Sequence, residues 1–567
     1  MRKLRKSCRP ELLIALTLLT LRALNMVRLL SEYISGQAAL QPQRIALRLA
    51  NDLLSYSELE RLSNRIARAL RETGCRRGDR ICLLLEKSPD AIAAMIGAIK
   101  AGCAYVPLDV NNPPVRLAEI IRASEPRLLL SSSSTLQLAV QLAEESCTGG
   151  APLVGSLARQ LADSNLPPPV FTRQDLASLS DDPVVNDSSA DDVAHLLFTS
   201  GSTGKPKGVA ITHSNVIAFV EWAVRYFRLG NQDRLSGHAP LHFDLSTFDI
   251  YGALAAGAEL HLVAPELNLL PNKLADFIRD SCLTQWFSVP AVLAHLAKAN
   301  IVHPGDFPAL KRILWCGEVL PTPVLTYWMQ RLPHVEFTNL YGPTETTIAS
   351  SYHTVKQVPS EPAAPIPIGT ACDGEELLVL DESLRTVPAG QSGHLYISGA
   401  GLSPGYWNNQ EATARAFLYW SDGSTVRKRL YRTGDLARLG SDGLVYFLGR
   451  SDSQIKSRGY RIELGEVESA LSSLDALRES AVVAIDTGGW QGQSICCAFV
   501  PSAPGAATPA TLRTCLIRQV PSYMLPQHWL TLERLPRNGN GKIDRRLLKE
   551  EFERKSLGET HESALKH

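Results

Sequence analysis

Thr199-Ser200-Gly201-Ser202-Thr203-Gly204-Lys205-Pro206-Lys207-Gly208 follows directly on the apolar run Val193–Phe198, and that junction decides how the chain is read. An apolar run of this length reads as a buried strand, and in an α/β sheet ligands bind beyond the strand ends. Small hydroxyl residues and glycines let backbone N–H groups close around phosphate oxygens, so the loop suggests a nucleoside triphosphate site. It is not a Walker A loop, because Gly201 is not followed at the required spacing by Gly-Lys-Ser/Thr. On residue types alone the same stretch is also a flexible surface turn, so the rest of the chain has to decide.

The chain has 567 residues, more than one compact core accommodates, and at least two domains are expected. Its 58 Lys and Arg against 57 Asp and Glu leave a net charge of +1, without the basic excess that attracts nucleic acid. Eleven cysteines occur without a C-x-x-C pair, which speaks for reduced cytosolic thiols and against a zinc site or a disulfide framework. At the amino end, basic Met1–Lys6 and apolar Leu12–Leu21 imitate a secretory signal. The run is shorter than the ~20 residues that span a bilayer, and no small-residue cleavage pattern follows. Residues 1–25 therefore read as a leader that is disordered or untranslated, with synthesis starting at Met26; a membrane-associating amphipathic segment is the alternative, and stable membrane insertion is not expected.

Beyond Met26, short apolar strands alternate with helical patterns. Ser57–Arg71 reads as a helix and Arg80–Leu85 as a strand, which is the signature of layered α/β architecture. Ser131–Ser134, the prolines at 167–169 and Asp181–Asp192 read as surface connections. Near Arg450–Asp452 the pattern changes to a shorter mixed segment.

Further segments stand in a fixed order around the loop. Ile99-Lys100-Ala101-Gly102-Cys103-Ala104-Tyr105-Val106-Pro107-Leu108-Asp109 precedes it, and Phe243-Asp244-Leu245-Ser246 follows. Then come Asn339-Leu340-Tyr341-Gly342-Pro343-Thr344-Glu345, Tyr431-Arg432-Thr433-Gly434-Asp435-Leu436 and Gly449-Arg450-Ser451-Asp452-Ser453-Gln454-Ile455-Lys456. Arg461-Ile462-Glu463-Leu464-Gly465-Glu466 and Asn540-Gly541-Lys542-Ile543-Asp544 complete the series. Together they resemble the amino-acid-activating adenylation domains of nonribosomal peptide synthetases, over nearly everything from Leu30 to Leu548. The resemblance implies an α/β fold with a large multi-subdomain N-terminal domain of layered sheets and helices, residues 26–451, and a small mobile α+β C-terminal domain, residues 452–555. Asp452 is the expected hinge and residues 556–567 a tail. Because only a charged tail follows Lys542, the resemblance also implies a free-standing cytoplasmic enzyme that delivers its product in trans to a phosphopantetheinylated carrier protein.

A carboxylate is a poor acyl donor, and adenylation supplies AMP as its leaving group. The carboxylate oxygen must meet the α-phosphorus of ATP in line, so catalysis is positioning plus positive charge. The resemblance implies Lys542, Glu345 and Thr199 as catalytic residues, with Lys542 between substrate carboxylate and α-phosphate and Glu345 holding Mg²⁺. Without it, a lysine beside Asn540-Gly541 is a solvated turn residue. The implied nucleotide contacts are Thr199, Ser200, Gly201, Ser202, Thr203, Gly204, Lys205, Lys207, Tyr341, Thr344, Asp435, Arg450 and Lys542, with Tyr341 stacking on adenine and Asp435 accepting the ribose hydroxyls. After adenylation the small domain is expected to rotate, withdrawing Lys542 and bringing up Gln454–Arg461.

Asp244 matches the residue that pairs with a substrate α-ammonium, and a carboxylate in an apolar pocket is costly unless paired. Leu245, Phe248, Phe287, Leu314, Cys316, Leu340, Ile348 and Ala349 are expected around the substrate side chain. None is charged, so a small apolar side chain is favoured over a polar one. The set resembles that of prolyl-carrier-protein ligases, which makes L-proline the leading substrate. D-alanine is the rival, and an acyl-CoA or aryl-acid ligase or a non-catalytic binding protein remain as other classes.

Overall fold

The computed structural model describes residues 27–564, apart from 146–149, 160–165, 202–204, 424, 487–492 and 539–541. The leader, the loop tip Ser202, Thr203 and Gly204, and Asn540-Gly541 lie outside the described residues. Among those described, two large sheets dominate. The nine-stranded sheet runs in the order Thr370–Ala371, Ser351–Val355, Glu336–Tyr341, Arg312–Cys316, Gln285–Ser288, Arg234–Gly237, Glu259–Leu262, Ile45–Leu49, Asp52–Ser55. Its middle is parallel and its edges antiparallel. The seven-stranded sheet runs Gly405–Tyr406, Lys207–Thr212, Val193–Thr199, Ala104–Pro107, Arg80–Leu84, Leu128–Ser131, Leu153–Ser156.

Burial explains why these strands read as unbroken apolar runs. One hydrophobic cluster joins both sheets through the helices Pro89–Lys100, His213–Tyr226 and Asp244–Ala256. Pro89–Lys100 is buried on every side, as a helix apolar all round must be. Its one buried ammonium, Lys100, is matched by Glu60 Oε2 at 2.5 Å and Asn64 Oδ1 at 2.7 Å. The helix expected at Ser57–Arg71 spans Tyr56–Glu72 and starts at a capping box in which Ser55 and Glu58 satisfy each other's backbone N–H.

One local expectation needs correction. Ser131 is not part of a surface connection, because it ends the strand Leu128–Ser131 and is fully buried, with Oγ donating to Gly155 O. Val193–Thr199 pairs antiparallel with Lys207–Thr212 in a register that sets Thr199 against Lys207, so the Gly-rich stretch connects the two strands of a hairpin.

A third, five-stranded antiparallel sheet contains Glu375–Leu380, Ser392–Gly399, Lys428–Leu439, Phe417–Trp420 and Val445–Arg450. After Arg450 the chain forms separate, smaller sheets. Gln454–Ser457 pairs with Tyr460–Glu463, and Leu477–Asp486, Gln493–Pro501 and His528–Thr531 form a three-stranded sheet. Gln493–Pro501 alternates between two clusters, with Ile495, Cys497 and Phe499 on one face and Cys496, Ala498 and Val500 on the other. Adjacent Cys496 and Cys497 therefore point apart, and all described cysteines are free. The charged segment after Lys542 is a helix, Arg545–Ala564, whose Leu548 and Phe552 close the second face. Among the described residues no helix is long and apolar enough to cross a membrane.

Phe499→Ala removes a fully buried ring from the small part and should cost ~3–5 kcal/mol. Scanning calorimetry is expected to show the transition of that part moving down while that of the larger part stays in place.

Candidate functional site

A cavity of about 130 Å³ lies where the strand ends of the larger part meet the small part. It is smaller than the ~300–1,000 Å³ usual for ligand pockets, because Gln454, Lys456, Gly459, Tyr460, Arg461 and Tyr523 of the small part occupy one side. Thr199 and Ser200 line it at the end of Val193–Thr199, and Ser200 Oγ donates to Arg461 O at 2.7 Å. At Gly201 a Cβ would lie 2.0 Å from Lys205 O, so the hairpin tolerates no side chain there. Lys205 is exposed. Lys207 is half-buried, its Nζ 5.4 Å from the centre of the Tyr406 ring, and burial lowers its pKa. Neither lysine lines the cavity.

The strand Glu336–Tyr341 delivers the next group. Tyr341 is buried and its hydroxyl donates to the Asp435 carboxylate. Asp435 also accepts from Arg450 Nη1 at 2.7 Å, across a register that sets the two residues opposite each other. Arg450 Nη2 reaches Asp452 Oδ2 at 2.6 Å. Tyr341, Asp435, Arg450 and the expected hinge residue thus form one continuous chain of contacts. Gly342 is required by crowding, since a Cβ would come within 2.6 Å of Ala349 Cα.

Glu345 is wholly inaccessible to solvent. Arg461 Nη1 donates to its two oxygens at 2.9 and 2.8 Å, and Tyr406 Oη donates to Oε1 at 2.7 Å. Burial alone would raise this carboxyl, but the Arg461 charge and the Tyr406 hydroxyl outweigh it and hold the pKa below the usual carboxylate value.

Asp244 opens the helix Asp244–Ala256 and accepts from Thr344 Oγ1 at 2.8 Å. Desolvation in the cavity pushes its pKa up to about 6, against the Thr344 hydrogen bond. Leu245 and Cys316 line the cavity beside it, and burial raises the Cys316 thiol to about 12. Phe248, Phe287, Leu314, Leu340, Ile348 and Ala349 do not line it; they form a buried layer that shares one cluster with Leu245 and Cys316. Phe248 packs edge to face on Phe287 and Phe219, with centroids 5.7 and 5.4 Å away. Gly252 leaves space for that ring, because a Cβ there would lie 2.7 Å from Phe248 Cε2. Thr347 and Ile348 take left-handed φ values of 59° and 69°, uncommon for β-branched residues.

Lys542 is exposed and outside the cavity lining, with its N–H donated to Asn538 Oδ1 at 3.1 Å. The segment Gln454–Arg461 lines the cavity instead. Lys456 Nζ lies 5.9 Å from the centre of the Tyr341 ring. Gly459, at φ 83°, donates its N–H to Glu318 Oε1 at 2.8 Å, and Tyr460 stacks on Tyr523. Arg116 and Glu466, both buried, form an ion pair between the two parts. The pairings of Arg461, Glu318 and Arg116 are not in the sequence reading. The Arg461 motif was visible, but not its partner.

Gly459→Ala would place a Cβ 2.6 Å from Val289 Cγ1 at a left-handed φ. It is expected to speed amide exchange across 454–461 while leaving the three-stranded sheet protected, as read by hydrogen–deuterium exchange.

The chain is similar to known proteins over most of its length. Residues 34–407 match the AMP-binding enzyme family and residues 466–542 the AMP-binding enzyme C-terminal domain. The chain is 34% identical over 519 residues to an L-proline--[L-prolyl-carrier protein] ligase of Streptomyces coelicolor, covering 91% of this chain and 94% of that protein. It is 34% identical over 523 residues to tyrocidine synthase 3 of Brevibacillus parabrevis, covering 92% of this chain but only 8% of that much longer protein. Among solved structures, the Vibrio cholerae adenylation domain AlmE in complex with glycyl-adenosine-5'-phosphate superposes with a TM-score of 0.77 at 26% identity, covering 93% of this chain and 98% of that one. The chain belongs to the AMP-binding enzyme family.

Proposed function

We propose that this AMP-binding enzyme is an amino acid ligase that uses ATP to convert a small apolar amino acid, L-proline foremost, into its aminoacyl adenylate, and then loads the acyl group onto the phosphopantetheine thiol of a separate carrier protein. The observation that carries the reading is Asp244, a single carboxylate of raised pKa beside uncharged Leu245 and Cys316 in an interdomain cavity. An α-ammonium suits such a group, whose burial is offset only in part by the Thr344 hydrogen bond and the charge of Lys456, and a substrate side chain without polar atoms suits the apolar layer behind it. The ligase relative, whose name specifies proline, supports the finer assignment. The free thiols and the need for ATP support a cytoplasmic setting.

In the first step a carboxylate oxygen forms a bond to the α-phosphorus while the bond to pyrophosphate breaks. Asp244 orients the amino acid by its ammonium, Asp435 accepts from the ribose hydroxyls, and Tyr341 offers its face to adenine. Thr199, Ser200 and the hairpin amides hold phosphate oxygens. Glu345 fits the carboxylate that holds Mg²⁺, because without Arg461 its buried charge requires another cation. Among the described residues no cluster of three or more metal-ligating side chains occurs, so the ion would be held by this one carboxylate together with nucleotide oxygens. When bound, the ion neutralises phosphate charge. Lys542 contributes in a second arrangement of the small part, turned about Asp452, while the arrangement described here presents Gln454–Arg461 for thiol attack on the acyl carbonyl and departure of AMP.

Amino-acid-dependent pyrophosphate exchange across L-proline, pipecolate, D- and L-alanine, other amino acids and aryl acids tests the assignment. L-Proline is expected to lead, and exchange with aryl acids alone would remove the role of Asp244. Lys542→Ala should lower exchange by about 10²–10³-fold, and near-normal exchange by the folded variant would count against that lysine.

The pH dependence follows from the Asp244 pKa of about 6 against an ordinary 3.8. Only the ionised form attracts an ammonium, and it becomes dominant as pH rises through about 6. The KM for the amino acid is therefore expected to fall between pH 5 and 7, roughly one unit either side. Asp244→Asn should raise KM and flatten that profile.

A further inference from the structure

Lys87 stands between the strand Arg80–Leu84 of the seven-stranded sheet and the helix Pro89–Lys100, yet its ammonium serves the other sheet. Nζ crosses to the ends of two neighbouring parallel strands of the nine-stranded sheet and donates to Gly237 O at 2.9 Å, His238 O at 2.6 Å and Val263 O at 3.3 Å. Three carbonyls use all three N–H donors of an ammonium, and burial lowers its pKa to about 8. Gly237 and His238 lead into the connection 238–243, whose His242 and Phe243 line the cavity directly before Asp244. Asp249, fully buried on the helix that Asp244 opens, faces the same junction: the Lys87 charge and the amides of Ala239 and His238 favour its ionised form, but desolvation outweighs them and raises its pKa. Neither Lys87 nor Asp249 lines the cavity.

We propose that Lys87 is a positioning residue for the amino acid: its ammonium ties the connection 238–243 of one sheet to the other sheet and thereby fixes where Asp244 meets the substrate α-ammonium. The proposal rests on the ligase reading above and adds to it the group that holds the Asp244 carboxylate in place. A binding group has to be held within about 0.5 Å of its productive position, and an irregular connection between strand and helix does not secure that by itself. Gathering the carbonyls of both strand ends on one ammonium does. The sheet that supplies Lys87 is also the one that ends at Thr199 on the cavity wall, so a single side chain couples the amino-acid side of the cavity to the hairpin side. A lysine that only stabilised the fold would affect every ligand alike, whereas one that acts through Asp244 affects only ligands that carry an ammonium.

That difference is measured by comparing an amino acid with the same acid lacking its nitrogen. In the full chain, pyrophosphate exchange gives KM and kcat for L-proline, and competition against it gives Ki for cyclopentanecarboxylate; D-alanine and propionate take their places if alanine leads. Lys87→Met should raise the KM for L-proline about tenfold and leave kcat and the cyclopentanecarboxylate Ki within about twofold. In an Asp244→Asn background the same substitution should add nothing, because both losses run through one contact. Equal weakening of the two ligands, additive losses in the double variant, or wild-type constants in Lys87→Met would overturn the proposal. If Lys87→Met fails to fold, Lys87→Gln, which keeps two N–H donors on a shorter stem, is measured in the same way: a loss confined to the amino acid supports the positioning role, and an unchanged ratio of the two constants overturns it. Wild-type exchange separates the two readings. Exchange with an amino acid together with an unselective loss in the variant removes only the role of Lys87, and absence of any amino-acid-dependent exchange in wild type removes the ligase reading with it.

Discussion

A carboxylate shut away from water has to be neutralised from within the protein, and in this molecule that requirement falls on Glu345. It sits beyond the end of a central parallel strand, where the sheet turns from parallel to antiparallel pairing. Its partner is 116 residues away in sequence and belongs to a separate set of sheets. Satisfying one buried charge therefore fixes how two hydrophobic bodies face each other. Around it the other cross-links arrange themselves: Ser200 on the Arg461 carbonyl, Glu318 on the Gly459 amide, and Arg116 on Glu466. Each joins a polar group of the larger part to the same short stretch of the smaller one or to the helix that follows it.

Local order was largely legible in the sequence. Val193–Phe198 and Arg80–Leu85 announced their strands by unbroken apolar character, and Ser57–Arg71 its helix by periodicity, each to within about two residues. Ser131 misled because serine is a turn former by composition, whereas a parallel strand buried on both faces accepts it once its hydroxyl finds a carbonyl. The Gly-rich stretch was read as following the end of a strand, and Val193–Thr199 is that strand; its antiparallel return in Lys207–Thr212 could not be read, since nothing in Thr199–Gly208 specifies where the chain goes next. The helix at Arg545–Ala564 was hidden by charge: only Leu548 and Phe552 betray its buried side.

The site divides in the same way. Asp244, Tyr341, Glu345 and Asp435 stand in motifs whose order could be read directly, and the fold brings Asp244 and Asp435 to the cavity wall with Tyr341 and Glu345 immediately behind it. Their partners could not be read, because a pairing such as Arg116 with Glu466 spans 350 residues and depends on how two bodies are oriented. The same limit applies to Lys542. Its motif marks it as chemically apt, but the sequence does not show that its side chain is exposed and its N–H donated to Asn538.

The layer behind the substrate cavity carries a last consequence. Phe248 owes its place to the missing side chain at Gly252 and to the flat faces of Phe219 and Phe287. Phe248 thus belongs to a layer that does not line the cavity but shares one cluster with Leu245 and Cys316, which do. An exchange at Gly252 would push on the Phe248 ring without altering a single residue of the cavity wall, so two chains with the same lining need not enclose the same space.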